Sequence, residues 1–461
     1  VLRRRGSSLV LALLGLLPFA SSCSSSDSGS IQLVTGGETD TFTQSPVPTT
    51  LTVQAVDTSG NVTTLASAPL SAATIDLGQQ DESTIATIEV TGSNSTGDSR
   101  IVFGASVPLI FGGLNGVTVP IFVQRVGQLA RVPGGIGDTR QVPLLANVQG
   151  EYLFAAGGFP TSLATTTELY DFGGFSLLSS PPTLPLSPQS VAFVGTVGWF
   201  FASDGTATYF DLSSGSSVSI PALAGGSFAD IAGGATIVGD NGVQFIVGAT
   251  RTSGTPTSAI LEIDPNDTSN ASYQNGGPTW LALSAPRLGA AASWVTGTGL
   301  VVVGGSATAA GVEVLAESGT TGTTATKGTG LLYPPDPSAF AGATTLSPST
   351  VLVAGGVSAT GTDPGVRTID LGCMTSCSPN AWATPLTVPL GTAQAFTMSA
   401  SEAFVVGNEV LTGATHTYTV TSTAMTEVPT KVTHTNARAL WSPVGSIALV
   451  GGSDSIETFV F

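Results

Sequence analysis

Short apolar runs separated by turn-forming residues recur along the whole chain. From residue 123 onward a run of four or five apolar residues ends in a glycine pair or a degenerate copy of one. The seven copies are LFAAGG (153–158), FFASDG (200–205), FIVGA (245–249), VVVGG (301–305), VLVAGG (351–356), FVVGN (404–408) and ALVGG (448–452). A tight-turn signal and another apolar stretch precede each run, so every unit starts with a β-hairpin. A variable loop follows the glycines. Then comes a strand that ends, in four units, in an apolar residue and aspartate: Tyr170-Asp171, Phe210-Asp211, Ile263-Asp264 and Ile369-Asp370. A fourth strand, led in two units by Trp280 and Trp382, completes the unit. Residues 31–122 carry alternating runs at 31–34, 50–56, 62–66, 74–78, 84–90, 100–104 and 118–123, which predict about seven short strands.

The first residues of the seven glycine pairs are 44 to 56 residues apart, with a mean of 49. That is close to the roughly 50-residue kelch period. The units resemble kelch repeats, in which a diglycine ends the second strand and aromatic residues mark the third and fourth. Gly157-Gly158, Gly304-Gly305, Gly355-Gly356 and Gly451-Gly452 match the diglycine, Tyr170 the third-strand aromatic, and Trp280 and Trp382 the tryptophan. Asp204-Gly205, Gly248-Ala249 and Gly407-Asn408 depart from the pattern. The resemblance implies an all-β protein whose residues 123–461 form a seven-bladed kelch-like β-propeller. The last unit stops after its third strand at Phe461, and VGQLARV (126–132) has the character of a fourth strand. It is therefore expected to complete the seventh blade and remove an exposed edge. The strands of 31–122 fit a small β-sandwich of immunoglobulin or fibronectin type.

The N-terminus reads as an export signal. Arg3, Arg4 and Arg5 precede an apolar run from Leu9 to Ala20, then Ser21, Ser22 and Cys23. Residues 1–23 resemble a bacterial lipoprotein signal with Cys23 as the acylated residue, and residues 24–30 (SSSDSGS) a flexible tether. Cysteine arithmetic agrees. Of three cysteines, Cys373 and Cys377 sit close together and can pair in an oxidising compartment, which leaves Cys23 alone. The expected location is the outer membrane or surface of a Gram-negative cell, with the chain a monomer held to the membrane by its lipid.

Composition narrows the function. Charged residues are 9% of the chain and the net charge is −17, so a basic stripe for nucleic acid is not available. The two histidines, His416 and His434, lack the clustered support that metal or acid–base chemistry needs. Copper oxidases on kelch propellers require a ligand set this chain does not supply. Asp171, Asp211, Asp264 and Asp370 hold equivalent places and could form a cation-binding ring, but each suits a turn that accepts backbone amides. Asp264-Pro265-Asn266-Asp267 has oxygen ligands without calcium-loop spacing. Glu317 to Gly330 is a low-complexity loop. No catalytic, metal or cofactor residues are assigned. The expectation is a non-enzymatic binding protein for a protein or glycan. A carbohydrate-active enzyme and a purely structural envelope component are the alternatives.

Overall fold

The computed structural model describes residues 28–461 except 73, 79–83, 95–99, 179–182, 252–253, 268–271, 274–275, 317–325, 328–332, 359–364, 374 and 383–387. Its regular structure is β, with five short 3-10 turns among the described residues.

Seven four-stranded antiparallel sheets follow one another between residues 129 and 461. Sheet 1 is typical: Leu144–Val148, Tyr152–Ala156, Thr167–Asp171 and Ser176–Leu177 pair in chain order. Sheets 2 to 7 begin at Ser190, Ala235, Ala291, Gly342, Leu390 and Arg438. The second strands are the most buried, reading QFIV, GLVVV and IALV with every residue inside. A strand covered on both faces needs no polar alternation, which is why these runs were continuous in the sequence. Each core cluster between sheets mixes residues of neighbours, as with Leu352 and Ala354 of sheet 5 against Val405 and Tyr418 of sheet 6.

The first strands of consecutive sheets lie against one another from sheet 1 through sheet 6, and sheet 7 lies against sheet 1. The remaining junction is made by Gln394 of sheet 6, whose side chain brackets Ala439 of sheet 7, donating to its carbonyl (3.0 Å) and accepting from its amide (2.8 Å). The first strands therefore form a closed inner ring, and the molecule is a β-propeller. Sheet 7 takes its outer strand from Leu129–Arg131, which pairs antiparallel with Glu457–Phe459. Bonds from Gly127 to Val460, Val132 to Ile456 and Ile136 to Asp454 continue the contact on both sides.

Two more sheets precede the ring. Gly29–Val34 lies between Thr74–Gly78 and, in parallel, Thr118–Phe122. Opposite it stand Val62–Pro69, Thr50–Asp57, Ile85–Ser93, Val102–Ala105 and Gln124–Arg125, with Leu109–Ile110 beside Ile85–Ser93. Alternate residues of both sheets, among them Ile31, Val53, Ile75, Ile88, Val90 and Ile121, fill one core. The expected boundary at 122/123 moves to after Arg125, because Gln124 and Arg125 pair with Phe103 and Val102 of this module.

Candidate functional site

A meander of four strands puts its first and third connections at one end and its second at the other, together with the link to the next sheet. We term these the turn end and the loop end. At the turn end the four repeated aspartates are committed locally. Asp171, Asp211, Asp264 and Asp370 each accept, through Oδ1, the amide two residues ahead, from Gly173 (2.6 Å), Ser213 (2.8 Å), Asn266 (2.9 Å) and Gly372 (2.8 Å). These are Asx turns, and their repetition has a structural origin. Burial pushes the Asp211 carboxyl up, but bonds from Ser213 and Ser214 outweigh it and hold the group below its ordinary range. Among the described residues no three His, Cys, Asp or Glu side chains gather as a metal site, Asp264 and Asp267 included.

The N-terminal module covers the turn end at sheets 1 and 7. Val107 packs into the core of those two sheets, and the Phe122 ring meets Phe175 edge-on at 6.3 Å. Phe103 and Ala105 pack with Val444 and Val460. Arg100 donates to the Phe461 carbonyl (2.8 Å), and Arg125 ties the loop at Thr41 and Gln44 (3.1 and 2.9 Å). Residues 36–38 then reach along the closing strand, where Glu38 bonds Arg131 at 2.9 Å.

The loop end is built by a repeated clamp that sequence reasoning missed. Arg140 and Arg287 each lie four residues before a first strand, and each is fully buried. Each donates to the carbonyl of the first residue of its diglycine, Gly157 (3.0 Å) or Gly304 (2.7 Å), and each faces a buried glutamate on the third strand. The pairs are Arg140–Glu168 (2.8 Å) and Arg287–Glu313 (3.6 Å). Sheet 7 repeats the plan with histidine. His434, also four residues before its strand, bonds the Gly451 carbonyl through Nδ1 (2.8 Å) and lies 3.4 Å from Glu457 through Nε2. Each glutamate also accepts the amide three residues before its cation, from Gly137, Ser284 or Lys431. Sheet 5 inverts the pair, with Arg367 on the strand and Asp336 in the connection (3.1 Å). Burial pushes the Glu168 carboxyl up, while Arg140 and the Gly137 amide pull against it. The basic residue four positions before the first strands of sheets 1, 4 and 7 was the available signal.

The diglycines follow from the same crowding. All eight of Gly157, Gly158, Gly304, Gly305, Gly355, Gly356, Gly451 and Gly452 have positive φ. At Gly452 (φ +67°) a Cβ would lie 2.1 Å from the Thr435 amide nitrogen, and at Gly158 2.3 Å from the Gln141 carbonyl oxygen. No side chain fits where the second strand leaves the sheet beneath the incoming connection. The copy Gly407-Asn408 deviates because its strand continues to Glu409, and the Asn408 side chain donates to Thr392 and to the Ala437 carbonyl (3.0 and 3.1 Å).

The remaining candidates have defined places. Cys373 and Cys377 form a disulfide in the turn after the third strand of sheet 5. His416 bonds Glu427 of the neighbouring strand at 3.1 Å. Tyr170 donates to the Pro133 carbonyl, joining sheet 1 to the closing segment. Trp280 donates to Leu223 (3.3 Å) and covers Gly226. The leader, Cys23 and most of Glu317 to Gly330 lie outside the described residues.

Polar side chains of the inner ring bond across sheets. Thr236 donates to Val191, Thr345 to Trp294, and Thr397 to Thr345, while Ser293 meets Thr345 at 2.9 Å. Gln244 reaches both the amide and the carbonyl of Phe193.

The strand pairings and the closed ring place the chain in the β-propeller class. No family model and no curated protein matches it. Among solved structures it is similar to a chain of "Crystal Structure of Mitotic Checkpoint Complex" at 13% identity, covering 73% of this chain and 92% of that one, with a TM-score of 0.45. It is also similar to "YCF48 bound to D1 peptide", again at 13% identity, covering 72% and 95%, with a TM-score of 0.44. At that level the fold class rests on the strand pairings described above.

Proposed function

We propose that this protein is an exported, lipid-anchored envelope protein. A seven-bladed kelch-type propeller, raised on an immunoglobulin- or fibronectin-like sandwich, binds a protein or glycan without catalysis. The observation that carries the reading is the division of labour between the two ends. The N-terminal module sits on the turn end at sheets 1 and 7. The loop end, which holds the second connections and the links between sheets, faces away from it, as a presented binding surface requires. Several polar side chains of the inner ring, among them Thr236, Thr345 and Gln394, bond between neighbouring sheets. The diglycines of sheets 1, 4, 5 and 7 support the kelch reading, since these four units repeat the same crowded exit, two of them with an Arg–Glu clamp.

Anchoring is tested with Cys23→Ser. The variant should move from the membrane to the soluble fraction and lose incorporation of a labelled fatty acid. Unchanged partitioning and labelling would reject the lipid. The binding role is tested by immobilising residues 31–461 and probing envelope proteins and glycans. Turnover of a glycan rather than its retention would favour the enzyme.

A further inference from the structure

Two parallel strands of the N-terminal module, Gly29–Val34 and Thr118–Phe122, run toward the propeller. Past Val34 the Gly37 amide donates to the Arg131 carbonyl (3.2 Å), and Phe122 meets Phe175 of sheet 1. At the opposite end, where both strands start, lies the segment 109–118. Ser30 donates its amide to the Val117 carbonyl (3.0 Å), and a Cβ on Gly29 would lie 2.8 Å from the Leu114 carbonyl oxygen. Leu114 closes the 3-10 turn that begins at Phe111, so Ile110 stands one turn away. Ile110 in turn is the direct ladder partner of Ile85.

This end exposes apolar side chains. Ile110 is 61% exposed, Ile85 46% and Val117 46%, three of the five large apolar side chains that the described part of the module exposes. Residues 109–118 (LIFGGLNGVT) carry no charge, and the chain has no Lys or Arg between Arg5 and Arg100. The carboxylates of Asp57 and Asp76, next to this end, accept amides of their own turns, from Ser59 and Gly78 (2.8 Å each). Without a cation this end has no electrostatic attraction to an anionic surface, and it meets a bilayer only by burying apolar area. Cys23 stands five residues before Ser28, where the described chain begins. Five residues fully extended span at most about 18 Å. A lipid on Cys23 therefore holds this end near the bilayer and makes their contact an intramolecular event.

We propose that Ile85, Ile110 and Val117 form a membrane-facing patch that seats the module on the lipid bilayer in which the Cys23 acyl chains are buried. Each side chain is stabilised by the area it removes from water at the headgroup boundary, and the acyl chains supply the second attachment. The propeller joins the far end of the same two strands, so the contact restricts how the whole protein swings on its tether. The proposal deepens the anchoring reading above and rests on it.

The full acylated chain, reconstituted in phosphatidylcholine vesicles, provides the test. An environment-sensitive fluorophore is placed on one introduced cysteine: Ile110→Cys, Val117→Cys or, as a reference at the loop end, Leu411→Cys, whose parent side chain is 90% exposed. The Cys23 lipid and the Cys373–Cys377 disulfide leave the introduced cysteine to react. A quencher attached to the lipid should dim the labels at 110 and 117 and spare the one at 411. Salt at about 0.5 M should leave that quenching unchanged, because no charge pair carries the contact. Ile85→Ser combined with Ile110→Ser should lower the ratio of seated to free label at 117 by about tenfold, while Cys23 still incorporates fatty acid. Labels at 110 and 117 no more quenched than at 411, on a chain whose Cys23 carries its lipid, would overturn the patch and leave the anchor standing. A Cys23 without lipid would overturn both. Burial of the same labels in the Cys23→Ser chain without vesicles, growing with protein concentration, would put a second copy on the patch and overturn the proposal.

Discussion

At the scale of single residues, backbone room and buried charge do most to define the repeats. Gly452 and Gly150 share a left-handed conformation (φ +67° and +68°), yet a Cβ at Gly452 would meet backbone at 2.1 Å while Gly150 has open space. Gly150→Ala should therefore cost about 1 kcal/mol, and Gly452→Ala roughly 3 kcal/mol, since the chain must also shift. Urea unfolding of the two variants measures the difference. The clamp gives a second contrast. Arg140→Met or Glu168→Leu alone strands a buried charge and should cost about 3–5 kcal/mol, whereas the double variant should lie near wild type. A double-mutant cycle in denaturant shows whether the pair couples in this way; additive losses would mean that Arg140 acts mainly through its bond to the Gly157 carbonyl.

At the scale of elements, the closing strand and the segment that clasps it decide how the ring holds together. Ala130 stands opposite Thr458 in the ladder of sheet 7. Ala130→Pro removes a donor from that ladder and should open the sheet at its outer edge. Faster hydrogen exchange at residues 457–459, with sheets 3 and 4 unchanged, is the expected result. Glu38 adds a dependence on pH. Burial pushes its carboxyl up, but the side-chain and backbone bonds from Arg131 prevail and hold it below its ordinary value of 4.5. A carboxyl held lower in the folded state stabilises the fold above its unfolded value, and that contribution is lost as pH falls through the folded one. Docking of residues 36–38 on Arg131 should thus weaken below about pH 4.5, seen as proteolysis near residue 40. Glu38→Gln should make that susceptibility independent of pH in this range.

At the scale of the whole molecule, two ends of one ring carry different duties. The turn end is sealed by Asx turns and, at sheets 1 and 7, by the N-terminal module; the loop end presents the longer connections. Deleting residues 28–125 should bare Val107's seat and the surface around Phe175 and Val444, and so lower solubility and thermal stability together. Differential scanning calorimetry of the shortened and full chains checks it. Retained stability would show that the module is only a spacer.

The strand order was legible from the sequence because local chemistry dictates it. Buried second strands are continuous apolar runs, and glycine is demanded wherever the chain turns beneath its neighbour; both leave a mark every 44 to 56 residues. The Asp turns and the Cys373–Cys377 bond are likewise local, spanning two to four residues. The clamps were not legible in the same way. Arg140 and Glu168 stand 28 residues apart and His434 and Glu457 23, so nothing in either segment alone names the partner. The same holds for the seat of the N-terminal module, which depends on Phe122 meeting Phe175. A pairing, or the lack of one, is a property of space, and only the closed ring brings those side chains within range or keeps them apart.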